Sequence, residues 1–217
     1  MARGKKTRLK NRQVSAATVS PPAALLAYPS LPRWVRWAVI TILIAATVAF
    51  SGAFDAPFQF DDVASIPRNP TIERISTETL SPPDGGLAVS GRPIANLSLA
   101  VNHAINQALG VDERPDPAGA HKTLSYHIVN LLLHLFCGLL IFGIVRRTVL
   151  LGSGLSEWTA DGDAIAIAVT ALWLLHPIQT DAVDYVVQRT ELLVSCFYAA
   201  TLYASIRAWD ASTRARR

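Results

Sequence analysis

Two adjacent carboxylates, Asp61 and Asp62, end the run FDAPFQFDD, where aromatic and proline residues surround them. Carboxylates so placed can take a proton from an attacking hydroxyl or orient the group that does. The plainer alternative is a turn or helix cap in a wet loop. A second set, His176, Asp181, Asp184, Arg189 and Glu191, falls within 16 residues of HPIQTDAVDYVVQRTELL. Asp181, Asp184 and Gln188 repeat at spacings of three and four, as do Asp184, Gln188 and Glu191, which predicts one polar helical face. Arg92, His176 and Arg189 are candidate donors to an anion, and an arginine fork matches a phosphate. His127, Asn130 and His134 lie on one face of an apolar run. Polar groups at membrane depth normally face a bundle interior or a cavity. His134, midway along that run, suits a hydrogen bond between helices. His127, near its end, is a candidate to line a site.

The elements that must carry these groups are membrane helices. Of the 217 residues, 51% are hydrophobic and only 17% charged, with a mean hydropathy of +0.30. That balance argues against disorder and against an ordinary water-soluble enzyme. Residues 37–54 hold no Lys, Arg, Asp or Glu, nor do residues 123–145. Each run suffices for a crossing of about 20 residues. Weaker runs follow between Asp163 and Asp181 and between Glu191 and Arg207. The expected fold is an all-α polytopic bundle of about four spans. Its parts are a basic tail (1–33), a first span (34–54), an outer loop (55–123), a second span (124–145), an inner loop (146–163), third and fourth spans with their outer connection (164–206), and an inner tail (207–217). Cys137 and Cys196 both fall in apolar runs and read as small buried hydrophobes.

Charge orients the bundle. Segments 1–36, 146–163 and 207–217 carry 14 Lys/Arg against four acids, while 55–122 and 181–191 carry six against 12. Positive charge at span ends stays inside, so both termini are expected in the cytoplasm. The basic start MARGKKTRLKNR then orients the first span and meets anionic lipid, and nucleic acid is not an expected partner. In the outer loop, STETLSPPDGG reads as a turn-rich connection. RPIANLSLAVNHAINQALG predicts a helix over 93–109, with Ile94, Leu97, Val101, Ile105 and Ala108 on one face. Such a helix can lie in the interface with its apolar side in the lipid, or pack on the spans. Asn96-Leu97-Ser98 matches a glycosylation sequon, but its place in a helix near the membrane speaks against use.

Four motifs in order, FQFDD with a following Asn-Pro, GRPIANLS, YHIVNLLLH and HPIQTDAVDYVVQRTELL, resemble GT-C membrane glycosyltransferases. The likeness is to the transmembrane and tetratricopeptide-repeat O-mannosyltransferases and their bacterial relatives, over about residues 34–208. The resemblance implies transfer of a sugar, mannose among the candidates, from a polyprenyl-phosphate carrier to an acceptor hydroxyl on the outer or lumenal side. It maps the catalytic acid onto Asp61 or Asp62, with Asp61 the preferred base and Asp62 orienting it or binding acceptor. Arg92, His127, His176, Asp181, Arg189 and Glu191 are the candidate substrate-binding residues. A divalent cation is left open, since two adjacent carboxylates are too few ligands to assign one. Such enzymes carry more spans and often a helical-repeat domain. This chain is therefore expected to be the amino-terminal part of a longer enzyme, or a shortened relative that needs a larger membrane partner. The other class is a non-catalytic membrane subunit or scaffold that binds a lipid carrier. The Ala- and Arg-rich composition suits a bacterial inner membrane, with the endoplasmic reticulum as the alternative.

Overall fold

A computed structural model describes residues 28–82, 87–111, 122–151 and 153–215. Most of the basic tail, Pro83, Gly85 and Gly86 of the turn-rich connection, and most of DERPDPAGAHK lie outside the described residues. What is described is helix and turn, with no strand among those residues. The long helices are α1 (Arg33–Ala49), α4 (Leu124–Leu151) and α7 (Arg189–Ala215). Between them lie α2 (Asp61–Ser65), α3 (Pro93–Ala108), α5 (Gly162–Leu174) and α6 (Thr180–Asp184), joined by 3-10 turns.

Three helical stretches are long and apolar enough to cross a membrane: Arg33–Asp55, Leu124–Leu151 and Val186–Ala211. The third expected span differs from a simple crossing. At 13 residues, α5 reaches only about 20 Å, short of a ~30 Å hydrocarbon core. Pro177 cannot continue it, and the chain bends by 49° into Pro177–Asp184. Counting that bent pair as one crossing gives four. The second span runs on past Val145 to Leu151, and the last helix is 27 residues long rather than 15, because Glu191, Arg207 and Asp210 are all accommodated within it.

At the centre stands α4, packed against α1, α5 and α7. Small residues permit the approach. A Cβ on Gly138 would sit 2.6 Å from Leu174, and one on Gly143 would sit 2.8 Å from Tyr203. This is the close packing that replaces the hydrophobic effect between helices in lipid. The thiols of Cys137 and Cys196 meet at 3.0 Å between α4 and α7, both buried as expected. Outward-facing Trp37, Ile44, Leu132, Leu172, Val194 and Phe197 form an apolar exterior, as a surface bathed in lipid requires.

The polar stripe of α4 explains how a bundle with broken helices survives in lipid. Every interrupted helix leaves carbonyls without partners, and hydrocarbon offers none. His127 donates from Nε2 to the carbonyl of Ala56, just beyond the first span, at 3.1 Å. Asn130 donates to the carbonyls of Val183, Tyr185 and Val186 at 3.2–3.4 Å, where α6 ends. His134 donates to the carbonyl of Leu174 in the last turn of α5 at 3.0 Å, stacked on Trp173. One helical face thus satisfies three chain breaks, and the interhelical role expected of His134 is the one observed.

Opposite the Asp pair, the start of α1, the end of α4, the start of α5 and the end of α7 are tied together. Arg146 is buried, not free in an inner loop. It pairs with Asp163 and donates to the carbonyls of Pro29 and Ser30 ahead of α1. Arg147 pairs with Asp210 at 2.9 Å, and the Tyr28 ring lies under both guanidinium groups. Trp34, Trp37, Trp158 and Trp209 are exposed at this same end, the placement of an interfacial aromatic belt.

Residues 56–82 and 87–111 build a lobe over the other end. Pro93 opens α3, and Gly110 ends it at φ +69°, a left-handed turn that favours glycine. The helix meets the protein through its asparagines. Asn96, Asn102 and Asn106 are buried, while Ile94, Val101 and Ile105 point out. The Asn96 amide nitrogen donates to Thr71 Oγ1 and the Thr79 carbonyl, both at 2.9 Å, and its oxygen accepts from Asn69 at 2.9 Å. A fully buried side chain so engaged closes the sequon to modification in the folded chain. The apolar face, Ile94, Val101 and Ile105, is left exposed.

Candidate functional site

Asp61 and Asp62 begin α2, yet their environments are opposite. Asp62 is 1% exposed. Its Oδ1 accepts the Val187 N–H at 2.7 Å and its Oδ2 accepts the Gln59 N–H at 3.1 Å. Burial pushes its pKa up, against the pull of those backbone donors. Its carboxylate is therefore a clamp, holding the Asp loop to the turn that starts the last helix. Asp61 is exposed. Its N–H donates to the Tyr185 hydroxyl at 2.9 Å, which leaves the carboxylate uncommitted.

The carboxylate-bearing Asp61 lines an open cavity of about 430 Å³ with Arg92, Tyr185, Gln188, Thr190 and Glu191. Arg92 is held at its rim. Nη1 donates to Thr190 Oγ1 at 3.0 Å and the Ala88 carbonyl at 3.2 Å, and Nη2 lies 3.7 Å from Glu191. Half-exposed on both sides, that ion pair is weak and easily displaced. Arg92, Thr190 and Glu191 also border an apolar groove of about 270 Å³ with Ile94, Val194 and Phe197. A charged, donor-rich cavity therefore opens beside an apolar trough between α3 and α7.

Asp181 is in a neighbouring cavity, with Asp184, Phe60 and Ile178. Chain 177–188 is not the continuous helix that the spacing implied. Tyr185 is extended between α6 and the Val186–Gln188 turn, so Asp181 and Asp184 face one cavity while Gln188 and Glu191 face the other. His176 accepts the Ile178 N–H on Nδ1 at 3.1 Å and caps the turn at Pro177.

Like His176, two more of the expected substrate residues do not line these cavities. His127 is fully buried on Ala56. Arg189 is 1% exposed and donates to Asn130 and Asn102 side chains and to the carbonyls of Ser98 and Tyr126, at 2.9–3.3 Å. With four of its five N–H groups directed at protein acceptors, it fastens α3, α4 and α7 together and has little left for a phosphate.

Residues that the sequence did not single out are Tyr185, Thr190, Phe60 and Gln59. Tyr185 is a shared wall of both cavities. Burial and the nearby Asp61, Asp62 and Asp181 keep its phenol protonated, and its own proton remains free to donate. Its only signal was a tyrosine between acidic residues on the outer side. Among the described residues, no three His, Cys, Asp or Glu side chains converge as metal ligands.

No family model and no solved structure matches this chain. It is similar to curated proteins of one kind. Protein O-mannosyl-transferase TMTC4 of Homo sapiens is 25% identical over 200 residues, covering 82% of this chain and 24% of that protein. Protein O-mannosyl-transferase F38B6.6 of Caenorhabditis elegans is 24% identical over 178 residues, 78% of this chain and 23% of that one. Protein O-mannosyl-transferase Tmtc3 of Drosophila melanogaster is 27% identical over 212 residues, 89% and 20% respectively. The chain thus spans about a quarter of the length of the relatives it matches. Its apolar helices and these relatives mark an integral membrane protein related to O-mannosyltransferases. They lend nothing to a bacterial inner membrane, since the relatives named are animal proteins.

Proposed function

We propose that this chain carries the catalytic lobe of a membrane mannosyltransferase that moves a sugar from a polyprenyl-phosphate to a protein hydroxyl on the outer or lumenal face. The observation that carries this reading is the pairing of the Asp61–Arg92 cavity with the apolar groove through the shared Arg92, Thr190 and Glu191. An amphipathic donor needs both, an anion site for its phosphate and a trough for its tail. The similarity to protein O-mannosyl-transferases supports mannose as the sugar and a protein hydroxyl as the acceptor in this reading.

In this mechanism Asp61 accepts the proton of the acceptor hydroxyl as its oxygen bonds to the anomeric carbon. The bond from that carbon to the phosphate oxygen breaks, and Arg92 takes up the charge that develops on the leaving phosphate. Asp62 holds the loop so that Asp61 stays at the cavity. Glu191 neutralises Arg92 until the donor displaces it. Both termini then lie on the cytoplasmic side, with the Arg146–Arg147 end.

The test is transfer of labelled mannose from a polyprenyl-phosphate mannose to a serine- or threonine-bearing peptide in membranes carrying this chain. Asp61→Asn should lower transfer by roughly 10²-fold or more without moving the thermal midpoint. Full transfer by that variant refutes the assignment. No transfer by the unaltered chain favours the non-catalytic, carrier-binding class.

A further inference from the structure

Across Tyr185 from the Asp61 cavity lies the larger one, about 600 Å³, within the range of ligand-binding pockets. Two exposed apolar side chains stand at its rim, Phe60 and Ile178. Phe60 directly precedes Asp61 and holds a φ of +41°, rare and strained for a residue with a Cβ. Asp181 and Asp184 supply the polar part. Asp181 receives only a long 3.3 Å bond from Gln188, and Asp184 Oδ1 is buried with no hydrogen-bond partner. Among the described residues, no Lys or Arg lines the cavity. It therefore offers two weakly satisfied carboxylates beside an aromatic wall, next to the proposed base.

We infer that this cavity is the acceptor subsite, and that it takes an extended polypeptide segment carrying a Lys or Arg close to the acceptor hydroxyl. The inference rests on the mannosyltransferase reading for the word acceptor. The segment lays an apolar side chain against Phe60 and Ile178, its basic group meets Asp181 and Asp184, and its hydroxyl crosses Tyr185 towards Asp61. Charge decides between occupants. A neutral glycan can stack on Phe60 and donate hydroxyls to the carboxylates but brings no countercharge, and an anionic lipid headgroup is repelled by them. The phosphate-bearing donor is thereby kept to the Arg92 side.

Binding is measured separately from transfer, with the whole chain in lipid nanodiscs and a fluorescent serine peptide carrying one arginine. The same peptide with glutamine in place of that arginine is the control. The arginine peptide should bind roughly tenfold tighter, the value of one charge-assisted hydrogen bond. The double variant Asp181→Asn, Asp184→Asn should erase that ratio, and Phe60→Ala should weaken both peptides alike. Should the double variant fail to fold, Asp181→Asn alone, at an exposed position, should reduce the ratio. Equal binding of the two peptides, no binding of either, or an unchanged ratio in the variants overturns the inference. Asp61→Asn should keep the ratio while losing transfer. Failure of the subsite and failure of the mannosyltransferase reading therefore leave different records.

Discussion

The lobe over the Asp-pair end and the helical bundle beneath it solve one problem by opposite means. In the bundle, Gly138, Gly143 and Gly162 bring helices together, and apolar side chains face outward as well as inward. In the lobe, asparagines and threonines are buried, and apolar side chains of α3 are turned out. Residues 56–82 and 87–111 bury only a small apolar core. Ile66, Ile72, Val89, Leu99 and Ala100 form it together with Tyr126 of α4 and Val186, and directed hydrogen bonds add to it. Such bonds fix positions closely, which suits a lobe that holds Asp61 and Arg92 at one cavity. The lesson is that polarity and function part company here. The most buried polar groups are the fasteners, and the exposed ones are those proposed for chemistry.

Arg189 against Arg92 breaks that contrast most sharply. Arg189→Ala should cost about 3–5 kcal/mol, because Asn102, Asn130 and the Tyr126 carbonyl lose a buried charged donor. Arg92→Ala, exposed, should cost no more than about 1 kcal/mol while weakening donor use. Thermal unfolding in detergent beside a transfer assay separates the two. Equal losses of stability would remove the distinction between fastener and working residue.

Asn96→Ala should come next, at about 1–3 kcal/mol for the partners it strands, read as a lower midpoint for the lobe. An exposed residue on the same helix, Gln107→Ala, should change stability by less than about 0.5 kcal/mol.

The smallest effect is a pH dependence. Because burial raises the folded pKa of Asp62 above its ordinary 3.8, the folded chain binds that proton more tightly than the unfolded chain does. The stabilisation is complete below the ordinary value and is lost as pH rises through the raised one. Asp62→Asn should flatten this fall in the unfolding midpoint, whereas Asp61→Asn should leave it in place. A fall of the same size in Asp62→Asn would assign it to another group.

Much of this architecture was legible in order along the chain. The uncharged runs before Asp55 and before Arg146 required membrane helices, and the interval between Pro93 and Gly110 required a helix, since spacing, proline and glycine are local signals. Sequence also placed the acidic pair and the HPIQTD cluster on one side of the spans, because charge and span count alone set that parity. Which polar groups stay open was decided only in three dimensions. Periodicity reports that Asn96 and Asn102 share a face and that Ile94 and Val101 share another. It does not report which face turns inward, because the partners of Asn96 are Asn69, Thr71 and Thr79 from elsewhere in the chain. Asp61 and Asp62 are neighbours in every sequence-level property. They are separated by the Val187 N–H, 125 residues away, which takes one carboxylate inside. Arg189 and His127, plausible anion and substrate ligands by type, are spent on Asn102, Asn130 and Ala56, because broken helices in a low-dielectric bundle must have every exposed carbonyl and charge satisfied from within.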